Sequence, residues 1–374
     1  MPELIWSAVP ALSLTSDTAL QHEWDRLNAL QSNLPFLGSD SVSLALKVFG
    51  TGTEKLIIAR NAGRVCAMIL LAPAGKLQWQ TFQPSQLPLG AWVAEPTLPV
   101  ETIANSAMHS GKLFAAVALS FTQVDPLFAP RGTDTPCNRY DDYIETAWVG
   151  IAGSFDDYWA GRGKNLRQNM RKQRNKLQTE GIELKMHVWR DASDMAAAIA
   201  RYGELESQSW KAHEGTAIQP NNDQGRFYTE LLCQNARRGE AVVYEYTFAG
   251  KLVASNLCVH RAKTLTILKT AYDASIKAYS PAFLLNEEIL QSIFSEQQIS
   301  RLEYYGRVME WHTRWTDSKR TLYHLTTFRN SWVKRVTQLL SSKTAKGATV
   351  PVQSDETREP GSSTQIGTSA PAIS

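Results

Sequence analysis

The sequence predicts a mixed α/β fold, a mixed β-sheet covered by helices and built from two similar units in tandem. Helical and extended segments alternate along the second half of the chain, which is typical of such a sheet. A helix followed by a strand–turn–strand hairpin also occurs twice, which indicates a duplicated unit. A turn-rich stretch, FAPRGTDTPCNRYDDY, lies between the two halves and predicts domains over 1–150 and 151–335.

The two hairpins are the clearest elements of the repeat. The first, KLIIARNAGRVCAMILLA, turns at Ala62-Gly63-Arg64, and the second, AVVYEYTFAGKLVASNLCV, turns at Ala249-Gly250-Lys251. The helix-like segments HEWDRLNALQSNLPF and MAAAIARYGELESQSW precede them. Both turns contain a Gly between apolar runs, which predicts tight β-hairpins.

Further elements of the second half follow in a regular order. We predict a basic helix over 164–179, a strand at IELKMHVW, and helices over 192–210 and at QGRFYTELLCQNARR before the second hairpin. After it come a strand at TLTILKTAY, a helix opened by Ser-Pro, and strands at SRLEYYG and TLYHLTTFR. The tail, 342–374, is rich in Ser, Thr, Gly and Pro and is expected to be disordered, since it has little apolar surface to bury.

Composition bounds the function classes. The chain has 374 residues, 43% of them hydrophobic, and a net charge of +3, too small to imply a nucleic-acid partner. Its four cysteines are far apart, which argues against a zinc site or a disulfide framework. Glu3 and Pro10 interrupt the N-terminal apolar segment, and no run is long enough to span a membrane. We therefore expect a cytoplasmic protein without metal.

The Ser-Pro helix start is the first candidate site. Ser280 is a favourable N-cap and Pro281 suits the first helical position. The amides of Ala282, Phe283 and Leu284 are then expected to lack intrahelical partners, so that this end could hold a phosphate. The alternative is a cap that only begins a core helix.

The order of SWK, the A-G-K hairpin, KTAYD, YSP-x-x-LL and EYYG…W resembles GNAT acyltransferases of the CelD-like family and the related FemAB transferases, which carry two GNAT-like units. The resemblance covers about residues 150–330 and implies a degenerate N-terminal unit. It implies acyl-CoA, such as acetyl-CoA, as donor, with its pantetheine arm along TLTILKTAY and its diphosphate at the Ser-Pro helix. The implied donor-binding residues are Lys269, Thr270, Ala271, Tyr272, Ser280, Ala282, Phe283 and Leu284; the family usually has Gly where this chain has Ala282.

Two segments are candidates for the acceptor side. By the resemblance, Glu206 accepts a proton from the acceptor amine, while Trp210 and Lys211 contact the substrate; a core Trp with solvated charges is the alternative. His312 stands where the family commonly has Lys and could act as a general base with an unperturbed pKa. Tyr305 and Trp315 flank it as substrate-binding candidates, and a structural His is the alternative.

The basic helix carries Lys164, Arg167, Arg171 and Arg174 on one predicted face, and no acid occurs between Tyr158 and Thr179. Such a run is usually a solvated face. Alternatively, Arg167 and Arg171 bind phosphate of a nucleotide-sugar, a lipid-linked glycan at an anionic membrane, or RNA. No aromatic residues are interleaved for base stacking, and DNA is not expected as a partner.

The resemblance thus implies an N-acyltransferase that moves an acyl group from acyl-CoA to an amine of a polysaccharide or glycan precursor. One alternative is a FemAB-type transferase that uses aminoacyl-tRNA. Another is a non-catalytic accessory protein of polysaccharide biosynthesis.

Overall fold

The computed structural model describes residues 3–207, 218–219 and 221–345. The chain divides into a unit of residues 1–331 and a second unit of residues 332–374. The first unit contains one mixed sheet of thirteen strands. The second unit contributes most of a helix that ends at residue 345, and the remaining tail lies outside the described residues.

The described part of the N-terminal half begins with a strand and two helices and continues with strands that one helix interrupts. Its elements are β1 (Ile5–Pro10), α1 (Thr18–Gln31), α2 (Ser39–Phe49), β2 (Lys55–Asn61), β3 (Arg64–Pro73), β4 (Gln78–Thr81), β5 (Trp92–Ala94), α3 (Val100–His109), β6 (Ala118–Val124) and β7 (Asn138–Gly150).

The C-terminal half begins with two consecutive helices. Its elements are α4 (Phe155–Ala160), α5 (Lys164–Thr179), β8 (Leu184–Trp189), α6 (Ala192–Ser207), α7 (Asp223–Ala236), β9 (Ala241–Phe248), β10 (Lys251–Arg261), β11 (Thr264–Tyr272), α8 (Pro281–Glu296), β12 (Arg301–Glu303), α9 (Glu310–Trp315), β13 (Lys319–Phe328) and α10 (Ser331–Ala345).

The predicted hairpins are confirmed, and their turn residues explain why. Ala62 and Gly63 have φ of 48° and 82°, and Ala249 and Gly250 have φ of 47° and 79°. Positive φ at both central residues gives a type I′ turn, whose twist matches the flanking strands. Glycine tolerates this conformation without cost, which is why one stands in each turn.

Strand order shows the duplication directly. The sheet runs β1-β2-β3-β4-β6-β13-β7-β12-β11-β10-β9-β8, with β5 against β3. Read from either edge, three antiparallel pairings lead to one parallel pairing, β4 with β6 or β11 with β12. The last strand of each half pairs with a strand of the other half: β7 pairs with β12, and β13 pairs with β6.

Helices cover both faces of this sheet. Helices α1, α2, α6 and α7 share one core cluster, in which Phe49 and Phe227 pack with ring centroids 5.3 Å apart. On the opposite face, α3 packs on the N-terminal half, and α5 and α8 pack on the C-terminal half. The result is a three-layer arrangement with the parallel strand pairs near the middle of each half.

Candidate functional site

A gap between β11 and β12 forms the centre of the candidate site. The two strands pair over only three positions, from Thr264 with Arg301 to Thr266 with Glu303. Beyond them β11 continues to Tyr272, while β12 ends at Glu303. No described strand pairs with this side of β11 after Thr266, so the edge around Ile267 and Thr270 can accept an extended ligand.

A β-bulge marks the point of divergence. The register between β10 and β11 shifts between Leu257, opposite Lys269, and Cys258, opposite Ile267. Leu268 is therefore the extra residue on β11. A bulge bends its strand and re-aims its backbone groups, which accounts for the divergence from β12 at this level.

The equivalent gap in the N-terminal half is filled by the chain itself. Beyond the parallel pairing of β4 with β6, the hydroxyls of Thr81 and Thr122 lie 2.6 Å apart. Gly90 packs closely beside them and donates its N–H to the Thr122 carbonyl at 3.2 Å. The strand β5 then follows on β3. The open gap therefore belongs to the C-terminal half, in agreement with a degenerate first unit.

The start of α8 differs from the predicted capped helix. Ser280 has a left-handed backbone, φ 53° and ψ 51°, and its side chain makes no capping bond. Its carbonyl instead accepts the N–H groups of Phe283 at 3.1 Å and Leu284 at 3.0 Å. Two of the three amides expected to be unpaired are thus satisfied. Only the partly exposed Ala282 keeps a helix-end amide for which the described residues supply no acceptor.

Helix α5 lies against the start of α8. Asn169 Nδ2 reaches the Ser280 hydroxyl at 3.5 Å. Arg174 pairs with Glu287 at 2.8 Å and Glu288 at 3.0 Å, so at this residue the charge of the basic face is neutralised by α8 and not by solvent. Arg167 and Arg171 remain exposed; Arg167 donates to the Arg162 carbonyl at 3.1 Å.

Buried polar groups face α8 beside the gap, and the sequence analysis missed them. Tyr304 follows β12, Asn286 lies in the second turn of α8, and Asn256 is opposite Thr270. Each is at most 7% exposed; Tyr304 and Asn286 lie close enough for their side chains to interact, and Asn256 Oδ1 has no hydrogen-bond partner among the described residues. Burial raises the pKa of Tyr304, so its hydroxyl stays protonated.

A second cluster of titratable side chains lies on the opposite face of β11. The Lys269 ammonium lies 5.7 Å from the centre of the Tyr228 ring. Burial, with a contribution from Glu206, raises the pKa of both Tyr202 and Tyr228. Glu206 is 2% exposed, and its Oε2 accepts the Ile218 N–H at 2.8 Å. Trp210 and Lys211 lie outside the described residues.

His312 does not have the environment that the sequence analysis expected. Burial lowers its pKa to about 4. Its Nδ1 accepts the Met309 N–H at 2.9 Å, a bond that only the neutral ring can make. Its ring packs on Trp311 and edge-on to Tyr304. The expectation of an unperturbed pKa is therefore wrong, because the imidazole is enclosed by aromatic side chains.

Two other residues predicted to bind substrate are buried. Trp315 is fully buried; it stacks on Trp159 and packs against the tilted ring of Phe283 from α8. Tyr305 is 6% exposed and packs on Phe36, with its hydroxyl donating to Asp125 at 3.1 Å. Neither ring forms an accessible wall of the gap, since packing between elements occupies both.

An ion cluster lies beneath Tyr305, where β12 ends. Arg320 binds Asp125 through two hydrogen bonds of 2.7 and 2.6 Å and Glu303 at 3.0 Å. Burial raises the pKa of Glu303 to about 7, which Arg320 partly counteracts. Tyr305 has φ of 49°, an uncommon conformation for an aromatic residue. The cluster fixes this strained turn where β12 leaves β11.

Comparison with known families identifies the fold of the C-terminal half. Residues 164–345 match the model of an acetyltransferase (GNAT) domain, which confirms the expectation of a GNAT acyltransferase. A comparison with curated protein sequences gave no match. The mixed α/β architecture and the GNAT fold agree with the predicted fold class.

Solved structures resemble the chain over most of its length. One is the C-terminal DUF2156 domain of an Agrobacterium fabrum protein assigned as a lysylphosphatidylglycerol synthetase, with 14% identity, a TM-score of 0.53, and 86% of this chain and 95% of that chain covered. A weaker similarity is to FemX, with 10% identity, a TM-score of 0.48, and 77% of this chain and 90% of that chain covered. Another is to a tandem GNAT protein of clavulanic acid biosynthesis, with 13% identity, a TM-score of 0.46, and 88% of this chain and 99% of that chain covered.

Two searches of the described residues were negative. No helix among them has the length and apolar character needed to cross a bilayer. Residues 3–207, 218–219 and 221–345 also contain no group of three or more His, Cys, Asp or Glu side chains able to hold a metal ion.

Proposed function

We propose that this chain transfers an acyl group from acyl-CoA to an amine, with both substrates meeting at the gap between β11 and β12. The divergence of these strands after Thr266 and Glu303 is the observation that carries the proposal. It leaves one strand edge open in the half that matches the acetyltransferase domain.

The donor would lie along β11 and point its diphosphate at α8. Backbone groups around Thr270 would pair with the pantetheine amides as an added strand would. The Ala282 amide and the positive end of the α8 dipole would face the diphosphate. Phe283 and Leu284 would contribute through this dipole, since their amides already bind Ser280. The donor site would comprise Lys269, Thr270, Ala271, Tyr272, Ser280, Ala282, Phe283 and Leu284.

Chemistry at this site needs few side chains. The acceptor nitrogen attacks the thioester carbonyl, a backbone N–H at the bulge stabilises the oxyanion, and the C–S bond then breaks. Tyr304, whose buried hydroxyl stays protonated, would donate a hydrogen bond to the departing thiolate, which then takes up a proton from solvent. Glu206 remains our candidate for accepting the ammonium proton, on the opposite face of β11.

For the acceptor we propose an amine on a polysaccharide or a glycan precursor, on the basis of the CelD-like and FemAB-like motif order. Trp210 and Lys211 would contact it. Cytoplasmic location is part of the same proposal.

Two variants of Glu206 test this assignment. Glu206→Gln keeps an oxygen that can accept the Ile218 N–H but removes the base, so kcat should fall by about 10²–10⁴-fold while the melting temperature changes little. Glu206→Ala should lower both, since it also removes the hydrogen bond. Acetyl-CoA should raise the melting temperature of wild type and Glu206→Gln alike. Unchanged kcat in Glu206→Gln would exclude Glu206 as the base.

A second candidate is transfer from aminoacyl-tRNA, which the surface of α5 favours. Lys164, Arg167, Arg171 and Lys172 are exposed there and form no ion pair with a described acid. Binding of tRNA that weakens steeply as salt rises, without stabilisation by acetyl-CoA, would support this candidate over the first.

A further inference from the structure

Two neighbouring turns of the N-terminal half expose large apolar side chains. The turn between β3 and β4 carries Leu77, which is 53% exposed, and the loop between α3 and β6 carries Phe114, which is 85% exposed. Large apolar groups at the tips of adjacent turns are not needed for the core, since the core residues beside them, Leu113 and Ala116, are buried. We call Leu77, Phe114 and their flanking lysines the two-turn surface.

Hydrogen bonds hold the two turns together. The Val117 N–H donates to the Leu77 carbonyl at 2.7 Å, which links the turns directly. Arg329 donates to the carbonyls of Leu113 and Ala116 at 2.5 and 2.6 Å, on either side of Phe114. Leu77 itself has φ of 60°. The exposed side chains of Leu77 and Phe114 thus extend from a backbone that hydrogen bonds hold in place.

The two-turn surface is also positively charged. Lys76 precedes Leu77, Lys112 lies two residues before Phe114, and both are exposed. The segments 73–80 and 109–117 contain no Asp or Glu. A nearby third cation, Lys55, lies over the Trp79 ring at 4.8 Å.

Sheet topology places this surface on the side where the gap between β11 and β12, the proposed donor gap, opens. Strands β6 and β7 run in one direction and β12 in the opposite one, because each adjacent pair from β6 through β13 and β7 to β12 is antiparallel. The starts of β4 and β6 therefore lie on the side of the sheet where β11 and β12 end. Four strand spacings, roughly 20 Å, separate β6 from β11.

We propose that the two-turn surface docks the protein on an anionic lipid bilayer. Phe114 and Leu77 enter the interfacial region, while Lys76 and Lys112 contact lipid phosphates. A lipid surface fits this chemistry better than a second copy of the chain, which would oppose like charges across a small contact. Docking would turn the donor gap towards the membrane, and it does not depend on whether acyl transfer is the reaction.

Vesicle co-sedimentation of the full chain tests the proposal. Vesicles with one-third phosphatidylglycerol in phosphatidylcholine should bind the wild type at least tenfold more strongly than pure phosphatidylcholine vesicles. Phe114→Ser with Leu77→Ser, and separately Lys76→Ser with Lys112→Ser, should each reduce this binding at least tenfold at an unchanged melting temperature.

Controls separate this surface from others. Leu30→Ser removes a leucine that is 49% exposed on α1 and should leave vesicle binding unchanged. Arg167→Ser with Arg171→Ser should reduce it less than twofold. Four results would each overturn the proposal. They are loss of vesicle binding only in the α5 variant, equal binding to neutral vesicles, no binding to any vesicle, and self-association that Phe114→Ser abolishes.

Discussion

At the scale of single residues, Gly90 shows how the gap between β4 and β6 is closed. A Cβ at this position would lie 2.4 Å from Thr81 Oγ1 and 2.6 Å from the Thr122 carbonyl oxygen. Only glycine therefore fits between β4 and β6. The closure of the gap in the N-terminal half depends on this one close approach.

Gly90→Ala should destabilise the protein, because the added methyl group overlaps backbone that cannot move away without breaking sheet pairing. We expect a loss of about 1–3 kcal/mol in the free energy of unfolding, measured by urea denaturation. Gly63→Ala is the control for steric overlap, because nothing lies within 4 Å of the added Cβ. It is an imperfect control, because the φ of 82° at Gly63 strains any residue with a side chain. An unchanged urea midpoint in Gly90→Ala would contradict this account.

His312 makes a prediction about pH. Its pKa is lowered from 6.5 to about 4 in the folded state, so the neutral form is favoured by folding. The stability that this gives is present above pH 6.5 and is lost as pH falls towards 4, by up to about 3 kcal/mol. His312→Asn, whose Oδ1 can accept the Met309 N–H, should flatten the pH dependence of unfolding between pH 6.5 and 4. A slope equal to that of wild type would contradict a neutral buried His312.

At the scale of elements, the contact of α5 with α8 explains how helix α8 is held. Arg174 bridges Glu287 and Glu288, and the Tyr246 hydroxyl donates to Glu288 at 2.5 Å. Burial raises the pKa of Glu287 against the influence of Arg174. The basic helix therefore has one structural cation on its α8 side and exposed cations elsewhere.

Removing Arg174 should be costly, because it leaves a carboxylate that is 7% exposed without its counter-ion. Arg174→Met should lower the free energy of unfolding by about 3 kcal/mol at neutral pH, and by less as the pH falls and Glu287, whose pKa burial raises, takes up a proton. Arg174→Met with Glu287→Met should recover most of the loss. Arg171→Met, on the exposed side, is the matched control and should change stability by less than about 0.5 kcal/mol.

At the scale of the whole molecule, exchange of the last strands makes the two halves dependent on each other. Strand β7 belongs to the first half by sequence, yet it lies between β13 and β12. The boundary near residue 150 separates two similar element orders, but it also cuts this strand from its neighbours. Domains over 1–150 and 151–335 remain a prediction.

A fragment of residues 151–345 should therefore not fold alone. It would lack β7, leaving the edges of β12 and β13 unpaired, and it would expose the faces of α7 that pack on α2. Circular dichroism with urea denaturation should show no cooperative transition for the fragment, whereas the full chain unfolds cooperatively. Co-expression with residues 1–150 should restore it. A stable fragment would show that each half folds independently.

The sequence by itself determined the local elements and their order. Alternating apolar segments, the two Ala-Gly turns and the Ser-Pro start predicted the hairpins, the strand β11 and helix α8, because these depend on neighbouring residues. The motif order led to the acetyltransferase domain for the same reason. These sequence signals depend on residues that are close along the chain. They can therefore be read without knowing which elements pack together.

Only the tertiary structure decided which groups meet. Sequence distance hides that Arg174 pairs with Glu287, that Tyr304 and Asn286 are buried beside the gap, and that Trp315 lies in the core. It also hides that Ser280 satisfies two of the three amides expected at α8, since that depends on a left-handed backbone. Burial and pairing between distant strands set these outcomes, because desolvation and register arise only when the sheet is assembled.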